Sequence, residues 1–600
     1  MKNSKKLTLI LLSTLFVCMI ALGLFGCSQG NSSAEQKCEN HNYQDGNCIN
    51  CAETSPECFN FTLLSDDTYM VSAYDTKSLP ENIKIPAIYN GKSITEIEGT
   101  GFMYANNLIS VILPNTITTI GELSFSACKN LSSVEIGDNV TYIGNGAFSY
   151  CDKLQYKERD NLKYLGTSKN SYFALVEVVP NCTTYTIHRR TKLIIDYAFS
   201  RHQEVTNIEI PDSVTFIGNR AFYGCEKLIS ITVDDDNKKF KDIDGNLYSK
   251  DGSTLIQYLK GKNQTSFIIP SSVSSIGDGA FCGCDSLTSV VIGDNVTIIG
   301  DGAFSGCESL TSVEMGNNLT IIGNSAFSNC ESLISVVIPN SVITIDGCAF
   351  YGCKNLSSLE IGDNVTTIGD RAFYYCESLI SVVIPNSVIT IGGWAFDGCK
   401  NLSSLEVGDS VTTIGDNAFS SCKNLTSLVI PNSVVTIGNY AFAYCESLIS
   451  VVIGDSVTTI GNSAFIYCYD LTSVEIGDSV TTIGNSAFAY CSSLASIELP
   501  DSLTSIQRFT FANCSKLASA VIGNGVTSID YLAFYSCGRL KSVVIPASVT
   551  TIGDNAFEYC RSLTLINYRG TKQQWNRITK GSSWDYNAGD YTITYNYTGE

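Results

Sequence analysis

Apolar residues recur along most of this chain with a fixed spacing of 23 residues. Thirteen cysteines from Cys284 to Cys560 mark this period, and one phrase returns around each of them, as in LTSVVIGDNVTIIGDGAFSGCES. A period of roughly 20 to 50 residues is typical of solenoids, in which one unit stacks on its copies because it cannot bury its apolar face alone. The pattern therefore predicts one elongated repeat body rather than several globular domains.

Within one unit, the apolar positions fall into three short segments. Val290 to Ile292 is a period-2 run that predicts a strand, Thr297 to Ile299 is a second extended piece, and Asp301 to Ser305 favours one helical turn. We expect stacked units to form a parallel sheet on one face, with short strands and helical turns on the other. The recurrent phenylalanine from Phe102 to Phe557 gives 18 units, which corresponds to a body about 90 Å long at roughly 4.8 Å per strand.

The repeated phrases resemble those of one bacterial family. Ser335 to Val342 (SVVIPNSV) and Ile345 to Cys353 (IDGCAFYGC) are similar to the BspA-like branch of leucine-rich-repeat proteins. The resemblance covers about Thr62 to Glu600 and rests on many copies. It implies a bacterial cell-surface protein or lipoprotein, associated with adhesion to host matrix proteins and to other cells.

The N-terminal segment is typical of an export signal. Three lysines precede the apolar run Leu7 to Phe25, which ends in the lipobox-like sequence LFGC. We expect residues 1–26 to be a lipoprotein-type signal peptide, Cys27 to be lipidated, and residues 27–37 to form a flexible tether. An uncleaved signal anchor is the alternative, since an apolar run of this length nearly spans a bilayer. Either arrangement holds the rest of the chain outside the cytoplasmic membrane.

Residues 38–58 contain a small cluster of potential metal ligands. Cys38, His41, Cys48 and Cys51 have knuckle-like spacing, and Cys58 follows a little further on. Thiolate and imidazole are preferred ligands of zinc, so this set predicts a structural zinc site without an open position for catalysis. Two disulfides among the cysteines are one alternative, because exported proteins meet an oxidising environment, and thiols that bind nothing are the other. No other cofactor is expected.

Caps and inserts flank or interrupt the repeats. Both inserts read as extra strands, and Asp244-Gly245 and Asp251-Gly252 in the second are hairpin-turn dipeptides. The segment after Cys560 loses the repeat and reads as a polar, aromatic closing cap. The predicted divisions are an N-terminal cap at 59–97, a solenoid at 98–564 with inserts at 152–196 and 234–262, and a C-terminal cap at 565–600.

Charge and motif content argue against nucleic-acid binding and against catalysis. The chain has a net charge of -20, and the stretch from Cys284 to Cys537 contains 23 acidic and 6 basic residues. Such a surface repels phosphate backbones, so we expect no nucleic-acid partner. The sequence has three histidines and no nucleophile elbow, phosphate-binding loop or HExxH motif. We therefore predict that the protein is not an enzyme, and that the solenoid is monomeric.

One strand position is the main candidate for a binding face. We call the cysteines that mark the 23-residue period the register cysteines. Seven residues after each of them, a side chain is predicted to point away from the core, and valine alternates there with glutamate. An extended sheet face is the surface that solenoids commonly use for binding. Alternatively, glutamate interrupts an exposed valine ladder that would favour aggregation, and the alternation reflects duplication of a two-repeat unit. The candidate residues are Glu314, Val337, Glu360, Val383, Glu406, Glu475 and Glu498.

Two further columns contain chemistry-bearing side chains. Tyr444, Tyr467 and Tyr490 directly precede the cysteine in three consecutive units. Exposed aromatic rows bind sugars or anchor proteins, although such rings also simply cover a turn. The register cysteines are expected to be unpaired core residues, because stacked copies point their Cβ atoms the same way.

Together, these features predict a surface-anchored extracellular protein. We expect it to recognise a host matrix or neighbouring-cell protein or glycoprotein through its sheet face. A glycan-binding module and a structural spacer that displays the insert loops are the alternatives.

Overall fold

The computed structural model describes residues 54–180 and 182–599, together with the backbone of two short strands, Tyr43–Gln44 and Asn47–Cys48, which pair antiparallel. The predicted signal peptide, the lipidation position Cys27 and the tether lie outside this part of the chain. The side chains of the predicted zinc ligands Cys38, His41, Cys48 and Cys51 also lie outside it.

Each unit forms one turn of a parallel β-solenoid. Ser289–Ile292 pairs in parallel with Ser312–Met315, and Ile298–Ile299 pairs with Ile321–Ile322. Every paired residue therefore contacts its equivalent 23 positions later. Two parallel ladders result, which we call the first ladder and the second ladder. The predicted repeat solenoid of leucine-rich-repeat type is confirmed.

The first ladder contains the strand that begins five residues after the register cysteine. Hydrogen bonding along it is interrupted at the inserts and between some units. Its strands are Asn82–Lys84, Ser110–Ile112, Ser133–Glu135, Thr184–Thr186, Asn207–Ile210, Ser230–Val233, Ser266–Ile268, Ser289–Ile292, Ser312–Met315, Ser335–Val337, Ser358–Glu360, Ser381–Val383, Ser404–Glu406, Ser427–Ile430, Ser450–Ile453, Ser473–Ile476, Ser496–Glu498, Ser519–Val521, Ser542–Ile545, Leu565–Tyr568 and Thr592–Tyr595.

The second ladder consists mostly of two-residue strands. Eleven of its strands, from Thr254–Gln257 to Thr482–Ile483, belong to one continuous sheet, which also contains two strands of the second insert. The strands of this ladder are Tyr69–Ala73, Lys92–Ile97, Thr119–Ile120, Tyr142–Ile143, Ala174–Val178, Leu193–Ile194, Phe216–Ile217, Thr254–Gln257, Ser275–Ile276, Ile298–Ile299, Ile321–Ile322, Thr344–Ile345, Thr367–Ile368, Thr390–Ile391, Thr413–Ile414, Thr436–Ile437, Thr459–Ile460, Thr482–Ile483, Ser505–Ile506, Ser528–Ile529, Thr551–Ile552 and Thr579–Lys580.

The predicted helical turn between the second strand and the cysteine is instead a series of tight turns. Gly302 and Gly306 both have left-handed φ values, +59° and +72°, and these two conformations interrupt a right-handed helix. Every second N–H group of this segment donates to the next unit, as from Phe304 to the Ala326 carbonyl at 2.7 Å. Helix is confined to three short segments of the described chain, Pro56–Cys58, Lys260–Lys262 and Lys572–Trp575.

The core is a stack of identical side chains. Consecutive phenylalanines lie nearly parallel, with ring centroids 5.0 Å apart between Phe304 and Phe327 and 5.2 Å apart between Phe327 and Phe350. The register cysteines and the recurrent leucines and isoleucines pack around them and are almost fully buried. The core forms two continuous clusters, one from Phe59 to Leu259 and the other from Tyr248 to Ile578.

The inserts and the two ends follow the predicted strand patterns. Phe59–Leu63 and Tyr69–Ala73 form an antiparallel hairpin, and Ile88–Tyr89 pairs with Lys92–Ile97. The inserts add hairpins whose outer strands are Lys157–Arg159, Leu162–Leu165, Phe240–Ile243 and Asn246–Ser249. Beyond Cys560, Leu565–Tyr568 and Thr592–Tyr595 continue the first ladder in parallel, so the coil extends past the last recognisable repeat.

Candidate binding surfaces

The valine and glutamate column lies on the outer face of the first ladder. Val337 and Val383 are 56% and 57% exposed, and the glutamates on the neighbouring strands are also exposed. The ladder register places Val337 directly opposite Glu360, and Val383 directly opposite Glu406. At roughly 4.8 Å per strand, successive glutamates are about 10 Å apart, with one valine between them. The predicted residues Glu314 to Glu406 therefore follow one another along the outer face, with a break in the strand pairing between Glu360 and Val383.

The carboxylates of this column are unpaired, whereas three of those beside a register cysteine bind a lysine. Lys354 bonds Glu331 at 2.6 Å, Lys400 bonds Glu377 at 2.9 Å, and Lys423 bonds Glu446 at 2.8 Å. In the described part of the chain, no ion pair involves the column glutamates Glu314, Glu360 and Glu406. Their negative charge is thus available to a partner.

A row of exposed isoleucines widens the apolar stripes. Ile334 and Ile380, 52% and 54% exposed, stand three residues before Val337 and Val383. The intervening units have Ser357 in the equivalent place. Our sequence reasoning missed this row, although the alternation of LISVVIP with LSSLEIG contains the signal.

The last two glutamates of the column lie in a groove rather than on the alternating face. Glu475 and Glu498 belong to adjacent units and are not separated by a valine. They line a groove of about 670 Å³ together with Asp478, Asp501 and Arg569. Arg569 donates to the Asn524 side chain at 2.9 Å. Hydrogen bonds from Asn524 lower the pKa of Asp501, and the charge of Arg569 lowers it further. This end of the face is more acidic than its centre.

The three tyrosines form a stack in the turn segment, apart from the first ladder. Ring centroids are 4.9 Å apart between Tyr444 and Tyr467 and 4.7 Å apart between Tyr467 and Tyr490. Both faces of the central ring are therefore covered by its neighbours. A sugar needs a free ring face for stacking, so Tyr467 presents only its edge and hydroxyl.

The cysteine ladder lies inside the solenoid. Each register thiol from Cys307 to Cys560 donates to the carbonyl oxygen of the phenylalanine 26 residues earlier, as from Cys353 to Phe327 at 3.2 Å. Burial raises the pKa of Cys353 to about 12. All register cysteines in the described chain are free thiols, as predicted from the parallel Cβ directions. A buried neutral thiol is a poor nucleophile, so this ladder is structural.

Neither metal-binding clusters nor membrane-spanning helices occur in the described residues. No group of three or more histidine, cysteine, aspartate or glutamate side chains there could hold a metal ion. A search of the same residues found no helix both long and apolar enough to cross a bilayer. The predicted zinc ligands and the apolar N-terminal run are not among them.

Comparison with known families agrees with the repeat geometry. The family described as BspA type Leucine rich repeat region, with six copies, matches residues 73–179, 169–254, 256–380, 366–495 and 458–578. These matches cover most of the solenoid. The chain belongs to the BspA-type leucine-rich-repeat family.

Three solved structures show how this BspA-type chain compares with similar proteins. A leucine-rich cell surface protein from Faecalibacterium prausnitzii is 28% identical, with 58% of this chain and 93% of that chain covered and a TM-score of 0.32. A leucine-rich repeat protein from Eubacterium ventriosum is 26% identical, with coverages of 59% and 94% and a TM-score of 0.32. A leucine-rich repeat protein from Bacteroides ovatus is 20% identical, with coverages of 90% and 98% and a TM-score of 0.36. Comparison with curated proteins found no match.

Proposed function

We propose that this BspA-type protein is a bacterial surface protein that binds an extracellular protein or glycoprotein through the outer face of the first ladder. The partner belongs to a host matrix or to a neighbouring cell. The solenoid acts as a monomer and performs no catalysis. The observation that carries this proposal is the column of unpaired glutamates alternating with exposed valines on a rigid ladder.

The face combines the two properties that a protein partner requires. Exposed valine and isoleucine side chains provide apolar area, which stabilises a complex when it is removed from water. The glutamates provide unpaired negative charge, which favours a basic partner and accelerates its association. We place the centre of the site at Glu314, Val337, Glu360, Val383 and Glu406.

A matched pair of triple variants tests this site. Glu314, Glu360 and Glu406 are changed to glutamine in one variant, and the lysine-paired Glu331, Glu377 and Glu446 are changed in the other. Both variants lose three negative charges. We expect the first to lose most of the matrix or mucin protein that the wild type retains in a pull-down, and the second to retain it. Equal recovery by the wild type and the column variant would remove the face from the binding site and favour a spacer role.

The glycan-binding alternative is tested separately. A glycan array should give no signal that depends on the tyrosine stack, because its central ring faces are covered. A signal that Tyr490→Ala or Tyr444→Ala abolishes would contradict this expectation, since those end rings each have one face that no tyrosine covers.

We further propose that Cys27 carries a lipid anchor and that Cys38, His41, Cys48 and Cys51 hold one structural zinc ion. Support comes from the lipobox-like sequence and from the spacing of thiolate and imidazole ligands. Metal analysis of the full chain should find one zinc per molecule, which Cys38→Ser and Cys51→Ser remove. Two disulfides in this segment, without metal, would refute the zinc site.

A further inference from the structure

The first insert creates a cleft beside the first ladder that the repeats alone do not form. Its hairpin Lys157–Arg159 and Leu162–Leu165 turns at Asp160 and Asn161, both in the left-handed conformation. Between this turn and the strands Thr184–Thr186 and Asn207–Ile210 lies a cleft of about 450 Å³. This volume is within the roughly 300–1,000 Å³ typical of small-molecule sites. Its lining includes Arg159, Asp160, Thr186, His188, Arg189 and Glu209.

Two arginines and three carboxylates, Asp234 among them, line the cleft. Arg159 and Arg189 line it, and the burial of His188 together with the fields of Arg159, Arg189 and Arg190 lowers the pKa of that imidazole. Arg159 already bonds Asp160, with 3.1 Å between Nε and Oδ2. Arg189 is exposed and forms no ion pair within the described residues. Its guanidinium is therefore available for a carboxylate, which it binds in a two-pronged geometry.

Hydrogen-bond acceptors lie beside these cations. Glu209 accepts from the Thr186 hydroxyl at 2.8 Å and keeps further lone pairs for another donor. Carboxylates in the lining repel a ligand with many negative charges, such as a polyphosphate. They favour a ligand that combines one negative charge with several hydroxyl donors.

One wall of the cleft is fixed by aromatic stacking. The His188 ring stacks on Tyr172 with 3.9 Å between centroids, and His188 Nδ1 accepts the Arg190 backbone N–H at 3.2 Å. These contacts hold the loop that contains Arg189. The backbone that presents Arg189 is thus fixed before a ligand enters, which lowers the entropy lost on binding.

We propose that this cleft binds a sugar that bears a carboxylate, either a sialic acid or a uronic acid. Arg189 binds the sugar carboxylate, and Glu209 and Asp160 accept its hydroxyl groups. The site is separate from the valine and glutamate face of the main repeat run, so either can exist without the other.

Ligand titrations with the full chain test this proposal. N-acetylneuraminic acid, galacturonic acid and glucuronic acid are compared with their methyl esters by ligand-observed NMR. We expect at least one free acid to bind at least tenfold more tightly than its ester, and Arg189→Gln to weaken that binding at least tenfold. Arg539→Gln, which removes an exposed arginine far along the repeats, should leave it unchanged.

The comparison of acids identifies the source of the ligand. A preference for N-acetylneuraminic acid indicates sialylated glycans, and a preference for the uronic acids indicates uronate polymers. Binding that is equal for acid and ester, or equal in Arg189→Gln and the wild type, would overturn the proposal, as would no binding of any of the three acids. Because Arg189 is exposed, an unchanged circular dichroism spectrum and melting temperature should accompany the loss.

Discussion

Two glycines at the same place in the repeat should respond oppositely to alanine. Gly293 and Gly362 both stand nine residues after a register cysteine. A Cβ at Gly362 would lie 2.5 Å from the Pro339 carbonyl oxygen and 2.8 Å from the Asn340 Cα, both rigid backbone atoms. A Cβ at Gly293 would have no atom within 4 Å. The substitution is identical, so only the local space differs.

The expected change in stability of each variant follows from the space around its glycine. Gly362→Ala must separate two stacked turns, and overpacking of this kind costs about 1–3 kcal/mol. Gly293→Ala should stabilise the fold by about 0.4–1 kcal/mol, because it restricts only the unfolded chain. We therefore expect the two variants to differ from each other by about 1.4–4 kcal/mol in the free energy of local opening.

Hydrogen exchange at equivalent amides measures this difference. The Val365 amide donates to the Gly362 carbonyl, and the Val296 amide donates to that of Gly293, both at 3.1 Å. A cost of about 2 kcal/mol corresponds to roughly 30-fold faster exchange of Val365 in Gly362→Ala. Val296 in Gly293→Ala should exchange at the wild-type rate or more slowly. Unchanged exchange of Val365 would refute the steric clash expected between a side chain at position 362 and the preceding turn.

Three other predictions test the core and the turn segment. A thiol reagent applied to the reduced native chain should modify the half-buried Cys348 and spare the fully buried Cys353, and peptide mass mapping should find both modified after unfolding. Burial raises the pKa of Asp397 to about 6, so the wild type should lose stability as pH rises from about 4 to above 6. Asp397→Asn should remove that loss. Above pH 6 the variant should therefore be more stable than the wild type by about 1 kcal/mol after allowance for solvent screening. Melting temperatures of both proteins across this pH range measure the difference. Phe350→Ala, which removes one ring from the stack, should cost about 3–5 kcal/mol in chemical denaturation, and a cost below about 1 kcal/mol would contradict its place in the core.

The repeat sequence was sufficient to predict the coil because each unit makes the same contacts. The period gave the parallel register, and the invariant burial of cysteine and phenylalanine followed from their positions in that period. The turn segment was misjudged because Gly302 and Gly306 have left-handed conformations that a single unit does not reveal. In other units the same places are occupied by residues such as Arg371 and Tyr375, whose left-handed φ values the stack imposes.

The cleft could not be predicted from the sequence. Its lining comes from the hairpin turn at Asp160, the loop at His188 and the strand containing Glu209, which are not equivalent positions of one repeat. The sequence identified the insert as extra strands. It did not show that the hairpin lies beside the first ladder, because that depends on packing between segments distant along the chain.

A change in the number of units affects the valine and glutamate column differently when that change is even and when it is odd. Because every residue pairs with its equivalent one unit later, recombination between copies can remove or add whole units without disturbing the coil. An even number keeps the alternation of valine and glutamate, whereas an odd number brings two like residues together at the junction. Glu475 beside Glu498, and Val429 opposite Val452, have the form of such junctions. Alleles that differ by two units should therefore keep the alternation of valine and glutamate on a solenoid of different length.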